Sequence, residues 1–233
     1  MLYSLYDHIL GALIGAAVGD GMGAATEART TQQIIDYFGH KVTDFETPPN
    51  DTFGAGNVPG QATDDFSSAW FLAKAIADNG GTVDTKSVQN ALIEWSKHAI
   101  FFDRFAGPTT RVAIKRFQGE EIPESGGVNL QSRQATNGSA MRISPIGMFN
   151  PGNLERTIEE SITVTMLTHN NYPALSGACA VSCAVSKALS PDADLYSVLQ
   201  AALYGAKEGE RRGREVALDV ASPSVVKRLE KAI

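Results

Sequence analysis

The sequence predicts an all-α fold, and three observations carry that prediction. Apolar residues recur at three- and four-residue spacing in one segment after another, no segment sustains apolar–polar alternation with β-branched enrichment, and Gly, Pro, Ser, Thr and Asp punctuate the chain at helix-length intervals. No internal repeat or low-complexity tract interrupts this pattern. With 233 residues, 43% of them hydrophobic, the chain can bury a proper core, and one large domain is expected rather than two small ones.

Taken in order, residues 6–19 read as a helix rich in Gly and Ala, where Gly11, Gly15, Ala12 and Ala16 would let another backbone come close. Asp20 closes its apolar run, Ile9 to Gly19, well short of the roughly 20 residues that a bilayer span requires. Asp7 and His8 stand where a secretory leader would carry Lys or Arg, so a cytoplasmic protein is expected. A second helix runs from Thr63 to Asp78, with Phe66, Ala69, Trp70, Ala73 and Ile76 at helical spacing, until "DNGG" stops it. A third, over 84–100, places Val88, Leu92, Trp95 and Ala99 on one face, and 109–118 forms the next.

The segment "GEEIPESGGVNLQSRQATNG" (119–138) is polar and glycine-rich and reads as a long loop. Residues 138–149 form a short helix interrupted or begun anew near Pro145, and 154–167 a further one. Pro173 opens a helix of small residues to Leu189, and two more follow near 194–207 and 223–233. Cys179 and Cys183, four apart in a helical pattern, are too far apart for a relaxed disulfide and read as small core residues.

The formal charge of −6, from 26 acidic and 20 basic residues, offers no broad positive field, so neither nucleic acid nor an anionic membrane is expected as a partner. The chemistry-bearing residues gather at helix starts instead. "ATDDF" sets Asp64 and Asp65 side by side: Thr63 can cap the helix and both acids gain from its dipole, or the Thr63 hydroxyl and the two carboxylates supply three oxygens to a hard divalent cation. Glu27 ends "GDGMGAATEA", a glycine-punctuated exit from a buried helix, and is either a solvated carboxylate or one held near a ligand.

"GPTTR" (107–111) and the Asn-Gly turn of "TNGSAMRISPIG" (136–147) open helices whose N–H groups suit an anion or are simply capped. Arg142 binds that anion or pairs with a carboxylate, and His169 in "LTHNNYP" is a structural hydrogen-bonder or a catalyst.

These helix starts, in this order, resemble the ADP-ribosylglycohydrolase family, that of the dinitrogenase reductase-activating glycohydrolase. The likeness rests on "GALIGAAVGDGMGAATEA", "ATDDFSSAWFLAKAI", "GPTTR", "TNGSAMRISPIG", "LTHNN" and "VASPSVVKRLEKAI". It implies a compact multi-helix orthogonal bundle around a metal-binding cleft with two Mg²⁺ ions, and hydrolysis of the bond joining ADP-ribose to a protein side chain or a small acceptor. Carried over by position, Thr63, Asp64 and Asp65 would be metal ligands; Glu27, Asp64 and Asp65 would be catalytic; Gly107, Asn137, Gly138, Ser139, Met141 and His169 would line the ADP-ribose pocket.

Two features depart from the family pattern. Phe66 stands where T-D-D-T would place its second threonine, and no glycine-rich G-D-T-D-T run follows; "PDAD" (191–194) reads as a turn and a helix cap. The resemblance thus implies a single domain over 1–233 that lacks its C-terminal part, which leaves three explanations: a fragment whose remainder is a second chain carrying the missing helices, a naturally shortened member, or a partner subunit that fills the gap. The alternatives are a non-catalytic, crystallin-like or truncated member acting in binding or structure, and a hydrolase of another ribosyl compound.

Overall fold

The computed structural model describes residues 4–122 and 135–233, and among them eleven α-helices, one 3₁₀ turn and no strand; Asn171 and Leu218 form an isolated bridge. Most of the loop expected over 119–138 lies outside the described residues.

α1 (Leu5–Gly23) starts from a reciprocal cap: Ser4 Oγ accepts the Asp7 N–H at 3.2 Å, and the Asp7 carboxylate accepts the Ser4 N–H at 2.9 Å. α2 (Thr31–Phe38) was not anticipated, because eight residues are too few to display a helical repeat. Its ends were legible all the same, with Thr30 and Gln33 capping each other and Gly39 turning out at φ 79°.

α3 (Asp64–Asp78) and α4 (Thr85–Ser96) lie against each other and build the main core with α6 (Pro108–Phe117). The single helix expected over 84–100 is two: α4 ends at Ser96, and Ala99, exposed rather than buried, begins α5 (Ala99–Phe105).

Leu72, Ile76, Val88, Leu92, Trp95, Ile114, Ile143, Ile146 and Val164 form that core, each fully buried aliphatic side chain contributing roughly 1.5–3 kcal/mol. On α3 the inward side carries Ser67 and Ser68 beside Ala69, Leu72 and Ile76, whereas Trp70 lies half-exposed. The serine places follow from Trp95. Its buried indole N–H donates to Ser67 Oγ at 3.0 Å, and the Ser67 hydroxyl donates to the Thr63 carbonyl at 2.6 Å, which fixes the tip of α3 to the core.

A 3₁₀ turn (Ala140–Arg142) leads into α7 (Ser144–Phe149), followed by α8 (Leu154–Met166), α9 (Tyr172–Ala188), α10 (Leu195–Val216) and α11 (Val225–Ala232). α9 is the central helix, packed by α7, α8 and α10. Cys179 and Cys183 on it are buried and free. Asp194 caps α10 by accepting the Ser197 N–H at 2.7 Å, and Asp192 pairs with Lys187, so "PDAD" is a turn and a cap.

α10 meets α9 through glycines four apart. A Cβ on Gly205 would stand 2.3 Å from the Cys179 carbonyl oxygen, and one on Gly209 2.7 Å from that of Leu175. Close backbone approach was expected at Gly11 and Gly15 of α1; among the described residues nothing lies within 4 Å of a Cβ built on either. α1 buries only Gly21, against the Gly60 carbonyl, and leaves Leu5, Tyr6, Leu10, Ile14 and Val18 exposed. No helix of the described residues is long and apolar enough to cross a membrane.

Candidate functional site

The start of α3 is capped from outside. Thr63 holds the N-cap position, yet its side chain accepts no helix N–H. Asp20, in the last turn of α1, accepts the Thr63 N–H at 2.8 Å and the Phe66 N–H at 3.1 Å through Oδ2, and the Thr63 hydroxyl at 2.6 Å through Oδ1. A hydroxyl has one proton, and the 2.6 Å contact takes it; the Asp65 carboxylate at 3.4 Å is a secondary acceptor. Thr63 Oγ1 thus keeps lone pairs for another partner. With capping supplied by Asp20, the Thr63 side chain is not the cap that the simpler of the two readings makes it, although the helix dipole still favours both acids in its first turn.

Those two carboxylates sit half-buried at the tip with Asp20 and Glu27 around them. Burial, then the Asp65 charge, pushes Asp64 up to about 7, and Asp20 and Glu27 add to it. Burial and Asp20 raise Asp65, against the Thr63 hydrogen bond; burial, Asp65 and Asp20 raise Glu27. Like charges crowd here, and among the described residues the arginine coupled to Asp64 is Arg142, on the floor below. Among the described residues no three His, Cys, Asp or Glu side chains converge as a ready-made metal cluster.

Glu27 reaches the tip because the chain turns sharply after α1: Thr26 N–H donates to the Gly23 carbonyl at 2.9 Å, and Ala28 holds φ 57°, a left-handed conformation that costs a non-glycine residue roughly 1–2 kcal/mol.

A cleft of about 400 Å³ opens beside the acids, in the size range of small-molecule sites. Glu27, Thr63, Asp64 and Asp65 line one end; Gly107, Pro108, Thr109 and Thr110 at the start of α6 form a wall, Thr136, Asn137, Gly138, Met141 and His169 another, and Phe53, Arg104, Phe105 and Ala106 complete the lining. A second groove, of about 530 Å³, runs from Glu27, Thr63, Asp65, Asn137 and Met141 along α1 past Asp20.

Beneath the cleft lies a buried polar floor. Arg142 is fully buried and, among the described residues, bonds hydroxyls rather than a carboxylate: Nη2 donates to Thr168 Oγ1 at 2.6 Å and Nη1 approaches Thr110 Oγ1 at 3.4 Å. Burial lowers it to about 10, partly offset by Asp64, so it stays charged at neutral pH. His169, also buried, has Nδ1 2.8 Å from Thr168 Oγ1 and Nε2 3.1 Å from Thr136 Oγ1. Burial and then Arg142 push it down to about 3, so it is neutral. A Cβ on Gly138 would come within 2.8 Å of His169 Nε2; glycine lets this loop lie on the ring.

Of the residues singled out in the sequence, Glu27, Thr63, Asp64, Asp65, Gly107, Asn137, Gly138, Met141 and His169 come together around this one cleft. The Ser139 side chain does not. It is buried and donates to Thr165 Oγ1 at 2.7 Å, because the 3₁₀ turn that follows points it toward α8.

Sequence reasoning passed over Asp20, Thr136, Phe53 and Arg104. Asp20 had a signal: a carboxylate in a last helical turn opposes the macrodipole and needs a compensating reason, here the two N–H groups and the hydroxyl of α3.

The ADP-ribosylglycohydrolase family model matches residues 1–232. An ADP-ribosylarginine hydrolase, Tri1, of Pseudomonas putida is 32% identical over 70% of this chain and 42% of its own length. The ADP-ribosyl-[dinitrogen reductase] glycohydrolase of Rhodospirillum rubrum is 31% identical over 76% and 55%. A solved structure titled ADP-ribosylglycohydrolase-related protein complex superposes with TM-score 0.62 at 23% identity, covering 87% of this chain and 63% of that one, and so shares the fold. The chain spans about half the length of the curated relatives it matches.

Proposed function

Because the chain belongs to the ADP-ribosylglycohydrolase family, we propose that it takes ADP-ribose into the cleft beside the α3 tip and hydrolyses the bond joining it to an acceptor. ADP-ribosylated protein is the substrate class, in line with the names of the two hydrolase relatives. The observation that carries the reading is the meeting of Glu27, Asp64 and Asp65 at one end of a cleft whose walls otherwise suit a nucleotide.

The lone pairs of Thr63 Oγ1 and the carboxylates of Asp64 and Asp65 are the oxygens that fit Mg²⁺, an ion that accepts one or two protein carboxylates and keeps several waters. A cation there answers the crowding that raises all three acids. Two ions are what the family resemblance implies, and these three oxygens supply part of their shell. When bound, Mg²⁺ orients the ribose hydroxyls and makes a neighbouring water more acidic.

The chain's own groups do the rest. Glu27, at the rim, takes the proton of the attacking water, and its raised pKa makes it a better base near neutral pH. Water oxygen bonds to the anomeric carbon as the bond to the acceptor breaks, and the proton that Glu27 took from the water passes through solvent to the departing acceptor; the charges of Asp64 and Asp65 face the positive charge that grows on the sugar meanwhile. The pyrophosphate lies at the N–H groups that open α6, with Arg104 at the mouth, and Phe53 and Phe105 offer faces to the base.

Binding without hydrolysis is the second reading, and the lack of three converging metal-ligating side chains among the described residues favours it. The test is release of ADP-ribose from a protein ADP-ribosylated on arginine, in Mg²⁺. Release that Glu27→Gln abolishes supports hydrolysis; retained ADP-ribose binding with no release selects the second reading; no binding refutes both.

A further inference from the structure

The floor of the cleft contains a hydrogen-bonded chain whose direction follows from counting protons. Arg142 can only donate, so Thr168 Oγ1 accepts from it at 2.6 Å. The Thr168 hydroxyl is buried, and its proton has one acceptor among the described groups: His169 Nδ1, at 2.8 Å. Were Nδ1 itself protonated, the Thr168 proton would be stranded in the interior, at a cost of about 1–3 kcal/mol.

With Nδ1 accepting, the neutral ring carries its proton on Nε2 and donates to Thr136 Oγ1 at 3.1 Å. Thr136 Oγ1 also faces the Gly138 N–H at 3.4 Å. Both of its lone pairs are then engaged, and its own proton is left for the cleft that Thr136 lines.

We propose that Arg142 is a positioning residue: through Thr168 it holds His169 as the Nε2–H tautomer, and thereby turns Thr136 into a fixed hydrogen-bond donor toward an anionic or hydroxyl oxygen of the ligand. The opposite proton order, available to the same heavy atoms, would make Thr136 donate to the ring and present only lone pairs to the cleft, where they would repel a phosphate oxygen. The buried guanidinium also excludes the imidazolium, which would stand two bonds away from a like charge. The proton order stands on the chain alone; the ligand's identity rests on the reading above, with ADP-ribose as the probe.

Long-range ¹H–¹⁵N NMR on histidine-labelled protein, without ligand, reads the tautomer directly. Wild type is expected to show His169 with unprotonated Nδ1 and protonated Nε2 from pH 5 to 8. Thr168→Val, which removes the proton given to Nδ1, is expected to populate the Nδ1–H form, Thr168→Ser to restore the wild-type signature, and Arg142→Lys to keep it. An Nδ1–H or doubly protonated ring in wild type, or a Thr168→Val spectrum identical to wild type, overturns the proposal.

In titration calorimetry with ADP-ribose, Thr136→Val is expected to bind about tenfold more weakly and Thr136→Ser to stay within about threefold of wild type. Equal binding by Thr136→Val overturns the donor role. If wild type binds no ADP-ribose, the proposed function and the ligand half fall together, while the NMR result still decides the proton order.

Discussion

In protein stripped of divalent cations, Asp64→Asn removes a charge that the fold holds at a cost. The folded-state value of Asp64, about 7, lies above its ordinary 3.8. Below pH 3.8 the carboxyl is protonated in both states and costs nothing. Between 3.8 and 7 the unfolded chain releases the proton while the folded one keeps it, so stability falls as pH rises, and above 7 the loss is complete. Each pH unit of that interval is worth about 1.4 kcal/mol, which caps the penalty at about 4 kcal/mol. Burial is the larger cause of that penalty, and asparagine buries a polar amide in the same place, so the substitution recovers only part of it, on the order of 2 kcal/mol.

Asparagine keeps the shape and discards the charge. In urea titrations with chelator, followed by circular dichroism, the variant is expected to match wild type at pH 4 and exceed it by about 2 kcal/mol at pH 8, roughly 4–8 °C in Tm for a chain of this size. A variant equally or less stable at pH 8, or a difference that does not change with pH, refutes the reasoning.

Two further perturbations separate packing from local propensity. Gly205→Ala drives a methyl to 2.3 Å from the Cys179 carbonyl oxygen and is expected to cost about 3 kcal/mol or to displace α10, whereas Gly15→Ala, with nothing within 4 Å, is expected to gain roughly 0.5–1 kcal/mol; thermal unfolding of the pair checks both. Trp95→Phe keeps an aromatic edge toward Phe102 but deletes the donor to Ser67, and is expected to cost about 1–3 kcal/mol and to speed hydrogen exchange in the first turn of α3.

Where the sequence was legible, a local rule and the tertiary demand agreed. Val88, Leu92 and Trp95 repeat at helical spacing because one face of α4 meets the core; Asp194 caps because its neighbours need a cap. It misled where a partner distant in the chain decides. Trp70 satisfies the apolar repeat of α3, yet Ser67 holds the inner place because Trp95 needs an acceptor there. Arg142 suggested an anion or a carboxylate, and among the described residues its partners are hydroxyls from two other segments, Thr110 and Thr168.

At the site, Thr63, Asp64 and Asp65 announce themselves by adjacency, since two neighbouring acids need a reason. Asp20, which frees Thr63 from capping, comes from α1, a helix away in sequence, and only the folded chain brings the two together. Ser139 was assigned to the cleft with its neighbours because a loop motif does not say which side chains its 3₁₀ turn points inward.

The claim on which the account rests is that the hydroxyl and twin carboxylates at the α3 tip hold a divalent ion at the edge of the cleft. Electron paramagnetic resonance of Mn²⁺ titrated into the protein measures this directly, because bound Mn²⁺ loses its free-ion signal. Saturable binding that Mg²⁺ displaces, and that Asp64→Asn and Asp65→Asn weaken at least tenfold, is the predicted result. Mn²⁺ that remains free at millimolar concentration, or that binds both variants as tightly as wild type, contradicts it.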